Sequence, residues 1–327
     1  MMRLLARLAL LLALAGSAAG GFLGWARLQV LTPGPAAVET TVVIPPGSSG
    51  RIIAQQLSEA GVIARPWLFP IEVRLSSHPS LQAGEYRFPA HVSMALIIEM
   101  MHRGEVVVHK LTVAEGLTTQ QIMLQLRETP GLSGLALTEP PEGGLLPQTY
   151  FFRLGDSRAA ILARMSHGMT TLLDKLWADR DPGLPLTSKR QAVILASVVE
   201  RETALPAERP HIAAVFLNRL RLHMRLQSDP TVIYAVSNGL GTLDRPLSHQ
   251  DLAVNSPYNT YEADGLPPGP ICNPGRASLV AVLHPAASDD LYFVADGSGG
   301  HVFAKSLSAH NHNVAKWRAL RGRESRN

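Results

Sequence analysis

The sequence predicts an α+β fold that consists of an N-terminal membrane-spanning helix, a small α+β module and a larger α+β domain. An uncharged N-terminal run, short strand-like and helix-like stretches in irregular order, and a Gly/Pro-rich break near 130–147 support this reading. A chain of 327 residues exceeds one small core. Its 46% hydrophobic and 17% charged residues are typical of a globular protein.

The first element is a predicted membrane span from Leu8 to Ala26, a length close to what a helix needs to cross a bilayer. Arg3 and Arg7 precede it, and this positive flank places residues 1–7 in the cytoplasm and everything after the span outside. We therefore expect a single-pass protein of the cell inner (cytoplasmic) membrane. Residues 27–40 follow as a linker with two prolines and no periodicity.

The alternative for this segment is a cleaved signal peptide, because Ala15, Ser17 and Ala19 are small residues that a signal peptidase accepts. The apolar run continues past them to Trp25, and tryptophan suits the membrane interface. An uncleaved anchor is the favoured interpretation.

The first folded region is predicted over about 41–127. Thr41 to Ile44 is a short β-branched run, Pro45 to Gly50 is a turn, and apolar residues then recur at helical spacing. The same order of strand, turn and helix recurs in AGEYRFPAHVSMALIIEMMHRGEVV and in KLTVAEGLTTQQIMLQLRE.

The second folded region is predicted to be mainly helical, with a hairpin around DGSGG. The expected helices cover Asp156 to Trp177, Lys189 to Thr203, Glu208 to Met224, a short stretch from Thr231, and Ser308 to Arg321. Ser188 and Gln191 stand at capping-box spacing before the second of these. Strands do not alternate regularly with helices, so a doubly wound sheet is excluded.

The net charge of +4 suits an anionic surface, but the basic residues are scattered, and we expect no nucleic-acid partner. The single cysteine, Cys272, excludes an intrachain disulfide and a Cys-rich zinc site. His310 and His312 lack a third ligand at metal spacing, so no metal and no cofactor is predicted.

The segment KRQAVILASVVERET carries two candidate acids on one helix. Glu202 falls on the face of Leu195 and Val199, where burial penalises the ionised carboxylate and raises its pKa, as a general acid requires. Glu200 points about 200 degrees away, towards solvent or basic partners. The alternative is an exposed Glu and Arg cluster at a helix end, which is the commoner arrangement.

The segment RLQSDPTVIYAV places Asp229 before Pro230, which is typical of a helix N-cap followed by proline at the first position. Gln227 and Asp229 can also bind sugar hydroxyls, because planar amides and carboxylates bond such groups well. The two interpretations are compatible.

The loop NSPYNTYEADGLPPGPICNPG contains five prolines but also tyrosines and amides, a combination that suits a preformed polar groove. The predicted substrate contacts in it are Tyr258, Asn259, Thr260 and Tyr261. The alternative is a loop that only covers the core, which fits residues 266–275 better than the polar YNTY segment.

Five segments together resemble the YceG-like family of endolytic murein transglycosylases: GGLLPQTYFF, ASVVERET, NRLRLHMRLQSDPTVIYA, SPYNTYEADGLPPGPICNPG and LYFVADGSGGHVF. The resemblance implies a LysM-like glycan-binding module over 41–110 and a catalytic domain over 111–327. It implies that Glu202, the second glutamate of the E-x-E-T element, is catalytic. It also implies a glycan groove lined by Gln227, Asp229, Tyr258 and Asn259, to which we add Glu200 and Thr260. Cys272 and Asn273 depart from the smaller or apolar residues expected in the Pro-rich loop.

The expected reaction is lytic cleavage of the β-1,4 bond between N-acetylmuramic acid and N-acetylglucosamine in peptidoglycan strands. The muramyl 6-hydroxyl attacks its own anomeric carbon, so one glutamate suffices, whereas hydrolysis usually needs two carboxylates. The alternatives are a hydrolytic muramidase that uses Glu202 with Asp229, and a non-catalytic peptidoglycan-binding scaffold. Glycan strands are the expected partner, and peptidoglycan synthases are further candidates.

Overall fold

The computed structural model describes residues 2–76, 80–135 and 138–324. The chain divides into two compact units, unit 1 (Met1–His109) and unit 2 (Lys110–Asn327), each with its own internal contacts. Both contain helices and strands, so the predicted mixture of helix and sheet is confirmed.

Unit 1 consists of a long N-terminal helix and a small α+β core. Its elements are α1 (Met2–Leu31), β1 (Thr40–Ile44), α2 (Gly50–Glu59), α3 (Leu68–Leu75), β2 (Gly84–Phe88) and α4 (Met94–Arg103). β1 and β2 pair antiparallel, with Val42 opposite Tyr86. Alternation along β2 buries Tyr86 and Phe88 side by side, with ring centroids 5.7 Å apart, and the helices cover this face.

Helix α1 contains the one segment among the described residues, Leu5–Leu31, that is long and apolar enough to cross a membrane. It extends five residues beyond the predicted end of the span at Ala26. The physical reason is packing, because Val30 is buried in the core of unit 1 and Trp25 stacks against Trp67.

The predicted linker is held against unit 1 after α1 ends. The Gly34 N–H donates to the carbonyls of His91 and Val92, and the His91 N–H donates to the Ala36 carbonyl at 2.7 Å. A Cβ at Gly34 would collide with the carbonyl oxygens of Val62 and Val92, so this close approach requires glycine. Residues 34–36 are therefore part of the packed unit rather than a free spacer.

Unit 2 is mainly helical. Its elements are β3 (His109–Thr112, whose first residue closes unit 1), α5 (Thr119–Glu128), β4 (Thr149–Phe152), α6 (Arg158–Ala178), α7 (Lys189–Glu202), a 3₁₀ helix (Pro206–Glu208), α8 (Arg209–Arg221), α9 (Asp229–Val236), α10 (His249–Leu252), α11 (Arg276–Leu283), β5 (Tyr292–Ala295), β6 (His301–Ala304) and α12 (Leu307–Glu324). β3 pairs with β4, and β5 pairs antiparallel with β6, which confirms the predicted hairpin.

Helix α7 is the central element of unit 2. Every residue from Ala192 to Glu200 is buried, and α8, α9 and α11 pack around it. The Ser188 hydroxyl accepts from the Gln191 N–H, as a helix N-cap does. In a capping box the Gln191 side chain would accept from the N–H of the N-cap residue, Ser188. It accepts instead from the N–H of the preceding residue, Thr187. At its other end α7 stops at Glu202, because Thr203 is extended.

Candidate active site

Glu202 lies on the last turn of α7 and faces the start of α9. Its Oε2 accepts a hydrogen bond of 2.8 Å from the Ser228 hydroxyl. Burial raises the pKa of Glu202 to about 7, the Ser228 hydrogen bond opposes this rise, and the nearby Asp229 carboxylate adds to it. The expected raised pKa is confirmed, and the group can hold or release a proton near neutral pH.

Two basic side chains lie near Glu202, and their electrostatic effect lowers its pKa against the larger effect of burial. Arg219 is buried on α8, where it donates to the carbonyls of Leu226 and Leu291. His301 stands at the start of β6, held by the Glu208 carboxylate at 2.7 Å from its Nδ1. Both are therefore fixed in position by the protein.

The same contact also lowers the pKa of the Glu208 carboxyl. Burial acts to raise its pKa, but hydrogen bonds from the His301 ring and backbone N–H prevail and lower it. Glu208 thus remains a charged acceptor that orients the imidazole. Glu208 and His301 are 93 residues apart, so no local pattern in the sequence predicts this pair.

Asp229 is exposed at the first turn of α9. It accepts a hydrogen bond of 2.6 Å from the Tyr261 hydroxyl. The predicted N-cap role for Asp229 is wrong by one residue, because Ser228 is the N-cap and Pro230 stands in the first turn. The Ser228 hydroxyl bonds Glu202 rather than a backbone N–H of its own helix.

Glu200 requires a correction. The sequence placed it towards solvent or basic partners; a basic partner is confirmed, but exposure to solvent is wrong, because its side chain is only 4% exposed. It pairs with Arg209 at 2.7 Å and accepts from the Gly275 N–H at 2.9 Å. Burial raises its pKa, and both of these contacts oppose the rise. Because both carboxylate oxygens are engaged inside the protein, Glu200 is not placed for direct contact with a substrate.

Of the other predicted groove residues, three are accessible to solvent and two are buried. Gln227 and Asp229 have exposed side chains, and Tyr258 is half-buried with its ring 4.9 Å from that of Tyr234. Gln227 has a positive φ of 51°, an unusual conformation for a residue other than glycine, and its N–H donates to the Thr260 carbonyl.

Asn259 and Thr260 are fully buried, contrary to the expectation that they face a groove. The Asn259 amide donates to the carbonyls of Leu252 and Val254, which closes the loop on itself. The Thr260 hydroxyl accepts from the Ser228 N–H at 3.0 Å. These side chains position the loop and the start of α9 instead of contacting solvent.

The unusual loop residues Cys272 and Asn273 have clear structural roles. Cys272 is buried, and its thiol donates to the Ser197 carbonyl on α7. The Asn273 side chain accepts from the Leu145 N–H and donates to the Glu142 carboxylate and the Thr119 hydroxyl, so it joins three segments of unit 2.

Within the described ranges, no group of three or more His, Cys, Asp or Glu side chains is placed to hold a metal ion. The polar groups that act on the pKa of Glu202 are instead Ser228, Asp229, Arg219 and His301. Of these, the sequence identified Asp229 only.

The sequence profile of the YceG-like family matches residues 42–316, most of both units. The chain belongs to the YceG-like family. A crystal structure of a YceG-like protein from Listeria monocytogenes superposes with a TM-score of 0.52 at 32% identity, covering 85% of this chain and 99% of that one.

Two proteins with named activities show further similarity to this chain. The endolytic murein transglycosylase of Bacillus subtilis is 32% identical over 310 residues, which cover 84% of this chain and 83% of that protein. The endolytic murein transglycosylase of Streptococcus pneumoniae R6 is 28% identical over 91% of this chain, but the match spans only 62% of that longer protein.

Proposed function

We propose that this YceG-like chain is a membrane-anchored endolytic lytic transglycosylase. Its substrate is the β-1,4 bond between N-acetylmuramic acid and N-acetylglucosamine in nascent peptidoglycan strands. Cleavage leaves 1,6-anhydro-muramyl ends and limits strand length. The observation that carries the proposal is the Glu202 carboxyl, whose pKa burial raises to about 7 at the end of α7, beside Ser228 and Asp229.

The chemistry requires one group that is first an acid and then a base. Protonated Glu202 gives its proton to the glycosidic oxygen as the bond to the muramyl anomeric carbon breaks. The resulting carboxylate takes the proton of the muramyl 6-hydroxyl, whose oxygen bonds to that carbon and closes the anhydro ring. No water is consumed, and Glu202 ends protonated as it began. A pKa near 7 suits both steps at neutral pH.

The neighbouring groups support this cycle in distinct ways. Asp229 keeps the proton on Glu202 by raising its pKa, whereas the Ser228 hydroxyl stabilises the carboxylate formed after proton transfer. Tyr261 holds Asp229 at 2.6 Å. Exposed Gln227 and half-buried Tyr258 remain the candidate glycan contacts of the predicted set.

The test compares Glu202→Gln with Glu200→Gln, using purified full-length chains and peptidoglycan strands, with products identified by mass spectrometry. General acid/base catalysis contributes roughly 100-fold to 10,000-fold, so the Glu202 variant should lose at least that order of anhydro-muramyl product. The Glu200 variant should lose less per folded molecule, since its carboxylate is held by Arg209.

Three outcomes would contradict the proposal. Reducing-end muramyl products in place of anhydro ends would indicate a hydrolytic muramidase. An active Glu202→Gln variant beside an inactive, folded Glu200→Gln variant would reverse the assignment. Full activity in both variants would place the catalytic group elsewhere, and a wild-type chain that binds strands without cleaving them would favour a binding scaffold.

We also propose that α1 remains as an uncleaved anchor, with everything after the span on the periplasmic side. Support comes from its apolar length and from the burial of Val30, since the end of α1 belongs to the core of unit 1. A mature protein that begins near Gly20 and is free of membranes would contradict this. The assignment of residues 41–110 as a LysM-like glycan-binding module likewise remains a proposal, supported by the compact core of unit 1.

A further inference from the structure

Helix α3 carries an apolar stripe that unit 1 covers only in part. Trp67, Ile71 and Leu75 follow one another at intervals of four residues, so they share one face of the helix. Their exposed fractions are 46%, 47% and 74%, whereas Leu68, Phe69 and Val73 on the other face are buried in the core. The stripe therefore makes no contribution to the core of unit 1.

The stripe lies directly beside the end of the apolar helix α1. The Trp67 ring stacks on those of Phe22 and Trp25, with centroids 6.2 and 6.3 Å apart. Phe22, Leu23, Ile71 and Leu75 line one groove between the two helices. Phe22 and Trp25 belong to the predicted span, so this contact fixes the height of α3 relative to a membrane.

The rise per residue of α1 gives the height of this contact relative to the end of the span. At 1.5 Å per residue, Phe22 lies about 6 Å inside the outer end of a span that closes at Ala26. A ring that stacks on Phe22 and Trp25 is therefore at the depth of the membrane interface, where tryptophan is enriched.

Charged groups mark the boundary with water at the same level. Arg27 follows the span and pairs with Glu72 at 2.7 Å. Arg65 stands 5.4 Å from the centre of the Trp25 ring, and Arg74 is exposed on α3 between Ile71 and Leu75. Cations beside an apolar stripe complement the anionic headgroups of a bacterial membrane.

We propose that unit 1 rests on the outer surface of the bilayer that α1 enters, with the Trp67, Ile71 and Leu75 face of α3 immersed at headgroup depth. This depends on the proposed anchor. The occupant of the stripe is the lipid surface, because Trp67, Ile71 and Leu75 line one groove with Phe22 and Leu23 of the apolar helix α1, at the end where the predicted span leaves the membrane. The module is then held at one orientation to the membrane.

The test measures the depth of spin labels on the full chain in nanodiscs of phosphatidylcholine and phosphatidylglycerol. Single cysteines replace Leu14, Ile71, Leu75 or Val43 in a Cys272→Ser background that is shown to be folded. Val43→Cys is the matched control, because Val43 is 47% exposed like Ile71 but lies on β1, which packs against β2 and α2. Each label is scored by its accessibility to oxygen relative to a water-soluble nickel chelate.

We expect the ratio at positions 71 and 75 to exceed that at position 43 several-fold and to fall below that at position 14. The inference would be overturned if the labels at 71 and 75 were as water-accessible as the label at 43. A deeply buried label at 14 in the same experiment would leave the proposed anchor intact. A water-accessible label at 14 would overturn both. Line broadening at 71 or 75 that disappears on dilution with unlabelled chain would assign the stripe to a second copy and overturn the inference.

Discussion

Replacing Glu202 with Gln should remove activity and at the same time stabilise unit 2 at neutral and alkaline pH. Glu202 ionises with a pKa of about 7 in the folded chain, whereas an unperturbed carboxyl has a pKa of 4.5. The folded state therefore binds this proton more tightly. Relative to a neutral side chain, the native state loses no stability below pH 4.5 and progressively more as the pH rises from 4.5 to 7.

The magnitude follows from the two pKa values. Each pKa unit corresponds to about 1.4 kcal/mol, so ionisation of Glu202 costs the native state up to about 3 kcal/mol above pH 7. The side chain keeps some exposure to solvent, which reduces the expected gain to about 2 kcal/mol. Gln has the shape of the protonated acid but no charge. The variant should therefore unfold about 4–8 °C above wild type at pH 8 and at nearly the same temperature at pH 4.5.

The assay is thermal unfolding followed by circular dichroism, for the full chain in detergent from pH 4.5 to 8. Glu200→Gln is the control on the same helix, because it removes a buried partner of Arg209 and should destabilise the protein at neutral pH. A Glu202→Gln variant that is less stable than wild type at pH 8, or a difference that does not change with pH, would refute the reasoning.

Further predictions concern the groups around Glu202 and the two units. Ser228→Ala removes a hydrogen bond that lowers the pKa of Glu202, so the alkaline limb of the pH–rate profile should move to higher pH; Ser237→Ala, whose hydroxyl bonds Tyr234 and Gly241, should leave it in place. Asp229→Asn should move the limb to lower pH but retain turnover, whereas an inactive variant would favour the hydrolytic alternative. Asn273→Ala should lower the free energy of unfolding by about 1–3 kcal/mol in denaturant titrations, more than Cys272→Ala, because it leaves the buried Leu145 N–H without its acceptor. A folded chain without residues 41–110 should keep its cleavage chemistry but bind long glycan strands more weakly in sedimentation assays, and unchanged binding would contradict the LysM-like assignment.

Elements with a strong local signal could be predicted from the sequence. The DGSGG hairpin is an example, because its alternating strands and turn residues lie within 13 residues of one another. The span of α7 and its cap at Ser188 were also predictable from local pattern. By contrast, the pairing of β3 with β4 joins segments separated by the whole of α5, and no local feature specifies it.

The solvent exposure of Glu200 was mispredicted for a physical reason. A helical-wheel argument assumes that a helix has one buried face and one solvated face. The core of α7, AVILASVV, is apolar on every side, which is the pattern of a helix that is surrounded by others. Residues on both faces are buried, so angular position alone could not separate the two glutamates.

The two glutamates differ in the groups that contact them. Glu200 is matched by a guanidinium at 2.7 Å and a backbone N–H at 2.9 Å, contacts that favour its charged form and leave no oxygen for a ligand. Glu202 accepts a hydrogen bond from one neutral hydroxyl and lies near another carboxylate. Among the described residues, its negative charge therefore has no cationic partner in direct contact. A carboxyl that is buried without a cation in direct contact is the one whose proton can be exchanged with a substrate near pH 7. The difference between the two glutamates of α7 therefore depends on groups from α8, the start of α9 and the Pro-rich loop, which only the folded chain brings to this helix.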